Sequence, residues 1–110
     1  MRMAVLWGRT VAGRRSAVRR LDLLADGVGA RGYRCVRLYR VGLLPVLWVY
    51  ARGPVRDVGV VVDVRAIAGG VAYHDAERGW SGYLSSCGEL AGAVERVDLL
   101  LKHRMFPSTW

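Results

Sequence analysis

Lysine, cysteine and long apolar runs are all scarce in this chain. One lysine stands against sixteen arginines, and the two cysteines are Cys35 and Cys87. The longest apolar runs, such as Val46–Ala51, are far too short to cross a bilayer, so we expect no membrane segment. The apolar stretch Ala4–Trp7 is too short for a secretory signal, which predicts a cytoplasmic protein with two free thiols.

The composition is that of a small globular domain. The chain has 110 residues, of which 53% are hydrophobic and 24% are charged. This balance excludes disorder, and the length predicts one domain that buries its own core. We therefore assign residues 10–105 to a single domain and residues 1–9 and 106–110 to short tails.

The charge is strongly positive and unevenly distributed. The net charge is +8. Residues 1–55 hold eleven arginines and two acids, a net of +9, whereas residues 56–110 hold six basic and seven acidic side chains, a net of −1. A basic half attracts phosphates or an acidic partner. The excess of arginine over lysine also fits the codon use of a GC-rich genome, so both interpretations stay open.

The apolar periodicity predicts a helix at each end of the chain. The first helix begins near Thr10, and Gly32 supplies the left-handed residue after its end. Its apolar stripe consists of Val11, Val18, Leu21, Leu24, Ala25 and Val28. Ser86 and Glu89 form a capping-box pattern, which predicts a second helix with Cys87 in its first position. Pro107 ends that helix.

Five segments between the helices have the composition of strands: 33–40, 44–51, 58–67, 71–74 and 80–84. Gly69-Gly70 is typical of a tight hairpin, and residues 75–79 form a turn. The short connections predict an antiparallel meander of four or five strands. The fold class is therefore α+β, a two-layer domain with the N-terminal and C-terminal helices on one face of the sheet.

The sheet is predicted to be apolar on both faces. If the aliphatic sides of the strands face the helices, the opposite face gathers Tyr33, Arg37, Tyr39, Trp48, Tyr50 and Arg65. An exposed face of this kind needs a cover, because monomers rarely expose large apolar patches. The cover is either a protein partner, most simply a second copy of the chain, or the tails with Trp7, Phe106 and Trp110. A stacking platform for single-stranded nucleic acid is the third interpretation.

Two further groups of residues carry candidate chemistry. Arg14, Arg15, Arg19 and Arg20 form a basic cluster on the first helix that could lie across phosphates. A thiolate at Cys87, paired with His74, would be a candidate nucleophile, although a structural cysteine explains the same pattern. The cysteines and histidines lack the spacing of metal ligands, and phosphate-binding glycine motifs are missing. We assign no catalytic residue, metal ligand or cofactor.

Short motifs give the chain a resemblance to a known group. The sequence from Leu21 to Met105 resembles small uncharacterised actinobacterial α+β proteins, through Ala30-Arg31-Gly32 after the first helix and the strand 45–49 (PVLWV). The aromatic strand before the last helix of that group is here reduced to Trp80 and Tyr83. The resemblance implies an accessory partner of a regulatory system without catalytic motifs.

These observations predict a non-enzymatic interaction protein that forms a homodimer or binds a protein partner through its aromatic sheet face. The alternative is a basic nucleic-acid-binding domain that uses its arginine-rich first helix.

Overall fold

The computed structural model describes residues 11–40 and 44–106. The predicted N-terminal tail 1–9 lies outside these ranges, and so does the predicted C-terminal tail except for Phe106. The predicted helix start at Thr10 and helix end at Pro107 also lie outside the described residues. The elements, in chain order, are α1 (Val11–Gly29), β1 (Arg34–Leu38), β2 (Val46–Ala51), β3 (Val58–Ile67), β4 (Gly70–Asp75), a 3₁₀ segment (Ala76–Gly82), β5 (Tyr83–Ser86) and α2 (Leu90–Met105).

The five strands form one antiparallel sheet in the order β1-β2-β3-β4-β5. Both helices pack on one face of this sheet and against each other, so the predicted α+β architecture is confirmed. The long strand β3 spans the predicted residues 58–67. Its hairpin to β4 turns at Ala68 and Gly69, and Gly69 adopts a positive φ of 85° that favours glycine.

The core lies between the helices and one side of the sheet. On the helix side of β3 the buried side chains are the alternate valines Val58, Val60, Val62 and Val64. They meet Leu21, Leu24 and Val28 of α1 and Val97 and Leu101 of α2, all of which are fully buried. An ideal Cβ on Gly27 would lie 2.5 Å from Val94 Cγ2, which shows how closely the two helices approach.

The first helix turns a slightly different side to the core than its apolar residues predict. Val11 is 71% exposed and Val18 is half-buried, while Gly13 and Ala17 are buried in their place. In its N-terminal half, α1 therefore turns small residues to the core. The end of the helix is as predicted, since Gly32 follows it with a φ of 92°.

The segment before β5 is a 3₁₀ helix rather than a turn followed by a strand. The Asp75 carboxylate accepts a hydrogen bond of 3.1 Å from the backbone N–H of Glu77, which caps the segment. Gly79 bends it with a φ of 59°. Because this segment runs to Gly82, the predicted strand 80–84 begins only at Tyr83.

The predicted capping box at Ser86 is wrong. Ser86 stays in the sheet, paired with Ala72, and its hydroxyl accepts a bond of 3.3 Å from Gly88 N–H. The helix α2 begins three residues later than a cap at Ser86 requires, at Leu90, with Glu89 as its N-cap residue. Pairing within the sheet therefore takes priority over the local capping pattern.

Candidate functional site: the open face of the sheet

The side of the sheet opposite the helices divides into two halves. Over β1, β2 and the first part of β3 it carries six mostly apolar side chains, which we call the apolar patch: Val36, Leu38, Val46, Trp48, Tyr50 and Val61. Over the rest of β3 and over β4 it carries Asp63, Arg65 and His74, which we call the polar cluster. These two halves meet where Asp63 follows Val61 along β3.

Trp48 is the centre of the apolar patch. Its ring stacks on Tyr50 with a centroid separation of 4.6 Å and an interplanar angle of 29°. An ideal Cβ on Gly59 of β3 would lie 2.6 Å from Trp48 Nε1, so the indole lies across a position without a side chain. The Trp48 side chain nevertheless remains 42% exposed. Its orientation is thus fixed by its neighbours, while a large apolar surface stays accessible.

The polar cluster is covered by the chain itself. The Arg65 guanidinium donates to both oxygens of Asp63, with its Nη2 at 2.9 Å from Oδ2. Trp80 lies over Arg65, with the guanidinium carbon 5.3 Å from the ring centroid. The rings of Trp80 and Tyr83 also make edge contacts with His74, which is fully buried. We call Trp80 and Tyr83 the aromatic cover.

The predicted placement of Tyr33, Arg37 and Tyr39 beside Trp48 is wrong. The register pairs Val36 with Trp48 and Arg37 with Leu47, so Arg37 shares the helix side of the sheet with the core. The hydroxyls of both tyrosines also reach the helices. Of the six residues predicted to share one face, the structure brings only Trp48, Tyr50 and Arg65 to the open face.

Acidic residues on the helices explain this arrangement. Asp22 of α1 accepts hydrogen bonds of 2.9 Å from Arg37 Nε and 3.0 Å from the Tyr39 hydroxyl. Asp98 of α2 accepts one from the Tyr33 hydroxyl. A tyrosine can bury its ring in the core provided that its hydroxyl finds a partner. The signal that sequence reasoning missed is therefore the pair of acids that the helices turn toward β1.

Asp98 is the most heavily bonded of these acids. Its side chain is 6% exposed and lies 3.0 Å from both Arg31 Nη1 and Lys102 Nζ. Burial by itself raises the pKa of Asp98, but the hydrogen bonds from Tyr33, Lys102 and Arg31 outweigh it and hold the pKa below its ordinary value. Burial, followed by the bond to Asp98, raises the pKa of Tyr33.

The arginine cluster of α1 is split between structural and exposed positions. Arg14 Nη2 donates to the backbone carbonyls of Tyr39 at 2.8 Å and of Arg40 at 3.0 Å. Arg20 is half-buried, and its carbonyl accepts from the buried Tyr73 hydroxyl. Arg15 and Arg19 are exposed. Of the four predicted nucleic-acid-binding residues, only Arg15 and Arg19 are therefore exposed to solvent.

Cys87 is a core residue. It is buried among the residues between helices and sheet, and burial raises the pKa of its thiol to about 11. His74 lies on the opposite side of the sheet under the aromatic cover. Cys87 and His74 are therefore not paired as a nucleophile and its base. Within residues 11–40 and 44–106, the Cys, His, Asp and Glu side chains form no group of three suited to a metal ion.

No helix in the described part of the chain has the length and apolar character needed to cross a bilayer. No protein-family model, curated protein or solved structure matches this chain.

Proposed function

We propose that this chain is a non-enzymatic interaction protein whose apolar patch binds the same patch of a second copy. The observation that carries the proposal is the exposure of Trp48 beside a half of the same face that the chain covers with its own residues. Both cysteines are free thiols, which supports the expected cytoplasmic location.

The exposed aromatic surface on the open face is a substantial part of what an interface needs. Besides Trp48, the two residues of the aromatic cover on the other half of this face are partly exposed, Trp80 by 36% and Tyr83 by 51%. Since an aromatic side chain has about 150–250 Å² of surface, these three leave roughly 300 Å² open. A standard interface takes about 800 Å² from each partner, rim included. The aromatic residues alone therefore supply more than a third of what a dimer needs.

The charges on this face favour a second copy over a nucleic acid. The chain carries +8, yet five members of the apolar patch are aliphatic or indole side chains and the sixth is Tyr50. Arg34 lies at the margin, opposite Tyr50, and the charge of Arg65 is neutralised by Asp63. Two such faces can meet without burying unpaired charges, which would be costly.

A symmetric pair also satisfies the geometry of sheets. Faces of two sheets pack about 10 Å apart with their side chains interdigitated. A two-fold axis through the apolar patch would set Trp48 of each copy against the patch of the other, which is the isologous contact typical of dimers.

The test compares the oligomeric state of two variants, each altered at a residue that is 42% exposed in the natural chain. Analytical ultracentrifugation of the full chain from 1 to 200 μM should show a monomer–dimer equilibrium. Trp48→Lys should weaken the dimer at least tenfold, because it places a charge in the apolar patch. Leu23→Lys is the control, since Leu23 is also 42% exposed but lies on α1.

The proposal is overturned if the natural chain stays monomeric over that range, or if Leu23→Lys dissociates it as strongly as Trp48→Lys does. Binding of single-stranded oligonucleotide that Trp48→Lys abolishes, in a chain that does not dimerise, would identify the open face as a nucleic-acid platform instead.

A second candidate function is nucleic-acid binding through α1, and the exposure of Arg15 and Arg19 favours it. Both side chains line one groove on the outer side of the helix, although Asp22 and Asp26 line it too. A mobility shift at low salt should weaken with rising salt and in Arg15→Gln/Arg19→Gln. Binding that is unchanged in this double variant contradicts the candidate.

A further inference from the structure

A cleft of about 490 Å³ lies between α2 and the 3₁₀ segment, on a different part of the surface from the apolar patch. One wall is formed by Arg96, Leu99 and His103 of α2, and the other by Arg78 and Tyr83. Its volume falls within the range of small-molecule sites. The cleft therefore has room for a ligand of mononucleotide size.

The charges in this cleft are not balanced by its own acids. Asp75 is the carboxylate that lines it, and Asp75 is held at 3.3 Å by Arg104 Nη2. The ion pairs among the described residues engage Arg104 and Lys102 at this end of α2, but they involve neither Arg78 nor Arg96. Arg78 and Arg96 thus line one concave space, and neither forms an ion pair with a carboxylate of the described residues, an arrangement that favours a phosphate.

Part of the lining is apolar, beside the polar Ser81 and His103. Leu84, Leu99 and Leu100 contribute aliphatic surface, and Leu99 is 37% exposed. Tyr83 lines the cleft as well. A bare phosphate ion would leave this surface in water, whereas a phosphate ester with an apolar or planar body would cover it.

We infer that this cleft binds a small phosphate monoester, with Arg78 and Arg96 on the phosphate and the leucines and Tyr83 against the body of the ligand. Tyr83 also belongs to the aromatic cover, but neither arginine belongs to the apolar patch or to that cover, so the contacts to the phosphate do not depend on the dimer.

The experiment is a ¹⁵N-resolved NMR titration of the full chain with adenosine 5′-monophosphate, inorganic phosphate and adenosine. We expect the monophosphate to shift the backbone signals around Arg96, Leu99 and His103, with saturation in the millimolar range or below. Phosphate alone should bind at least about fivefold more weakly, and adenosine alone more weakly still, because each lacks one half of the contacts.

Variants separate the cleft from general attraction to a basic chain. Arg96→Gln and Arg78→Gln should each weaken binding about tenfold, since each removes a charge-assisted contact to the phosphate. Arg15→Gln, which removes the same charge from α1, should leave it unchanged within twofold. Circular dichroism checks that each variant is folded.

Four outcomes overturn the inference: no shift up to 10 mM monophosphate, shifts centred on α1, equal losses in Arg15→Gln and Arg96→Gln, or equal affinity for inorganic phosphate and the monophosphate. The last outcome removes the apolar body from the assigned ligand class.

Discussion

The two halves of the open face differ in whether other side chains of the chain cover them. The polar cluster, which contains a buried aspartate and a buried histidine, lies beneath Trp80 and Tyr83, while the apolar patch around Trp48 has no such cover among the described residues. A monomer selected only for its own stability would cover the apolar half first, because burial of apolar surface is the main favourable contribution to folding. This difference supports the proposal that the apolar patch is a binding surface.

The largest expected effect comes from breaking the polar cluster. Asp63→Ala leaves the Arg65 guanidinium under Trp80 without its carboxylate, so we expect the free energy of unfolding to fall by about 3 kcal/mol. Urea denaturation measures this loss. The double substitution Asp63→Ala/Arg65→Leu is the control and should recover much of it. A loss below about 1 kcal/mol in the single variant would mean that the cover tolerates a lone charge.

The next effect extends the comparison to the helix side, where Asp98 is also a buried carboxylate with cationic partners. We expect Asp98→Asn to cost about 2 kcal/mol at neutral pH, because the amide cannot replace the charged bonds from Arg31 and Lys102.

This loss should depend on pH in a defined direction. The pKa of Asp98 is lower in the folded chain, so its contribution is complete above the ordinary pKa of about 4 and disappears as the pH falls through the folded value. Stability curves of the natural chain and Asp98→Asn should therefore converge below about pH 4. Curves that stay parallel from pH 7 to pH 2 contradict the role of the carboxylate charge.

The smallest effect concerns the orientation of Trp48. Gly59→Ala places a Cβ where the indole lies, so we expect Trp48 to turn away at a cost of about 1 kcal/mol and its fluorescence to shift to longer wavelength. Gly29→Ala is a matched control, since a Cβ there meets nothing within 4 Å. An unshifted emission spectrum in Gly59→Ala would show that the apolar patch does not depend on this close approach.

The buried face could be predicted for those strands in which the alternation of apolar and polar residues leaves only one side suited to the core. In β3 the alternating valines leave one orientation that buries them, and the structure has that orientation over the whole predicted length. The hairpin at Gly69 follows from local backbone geometry in the same way. Trp48 and Tyr50 were correctly assigned to the open face because Leu47 and Val49 are the better core residues.

The face of β1 could not be predicted from the strand alone. Either side of its sequence can be buried, because Tyr33 and Tyr39 are as compatible with a core as Val36 and Leu38 once their hydroxyls have acceptors. Those acceptors are Asp22 and Asp98, which lie 17 and 65 positions away from their tyrosines. Only the assembled tertiary structure brings them together.

The bonds from Arg14 to the carbonyls of Tyr39 and Arg40 have a consequence for higher assembly. Beyond Leu38 the chain would otherwise offer free acceptors at the margin of the sheet, where an additional strand from another molecule could attach and the ladder could grow without limit. Because the Arg14 guanidinium already bonds to both oxygens, they are not free to accept from an added strand. Extension of the sheet through these two carbonyls is thereby disfavoured.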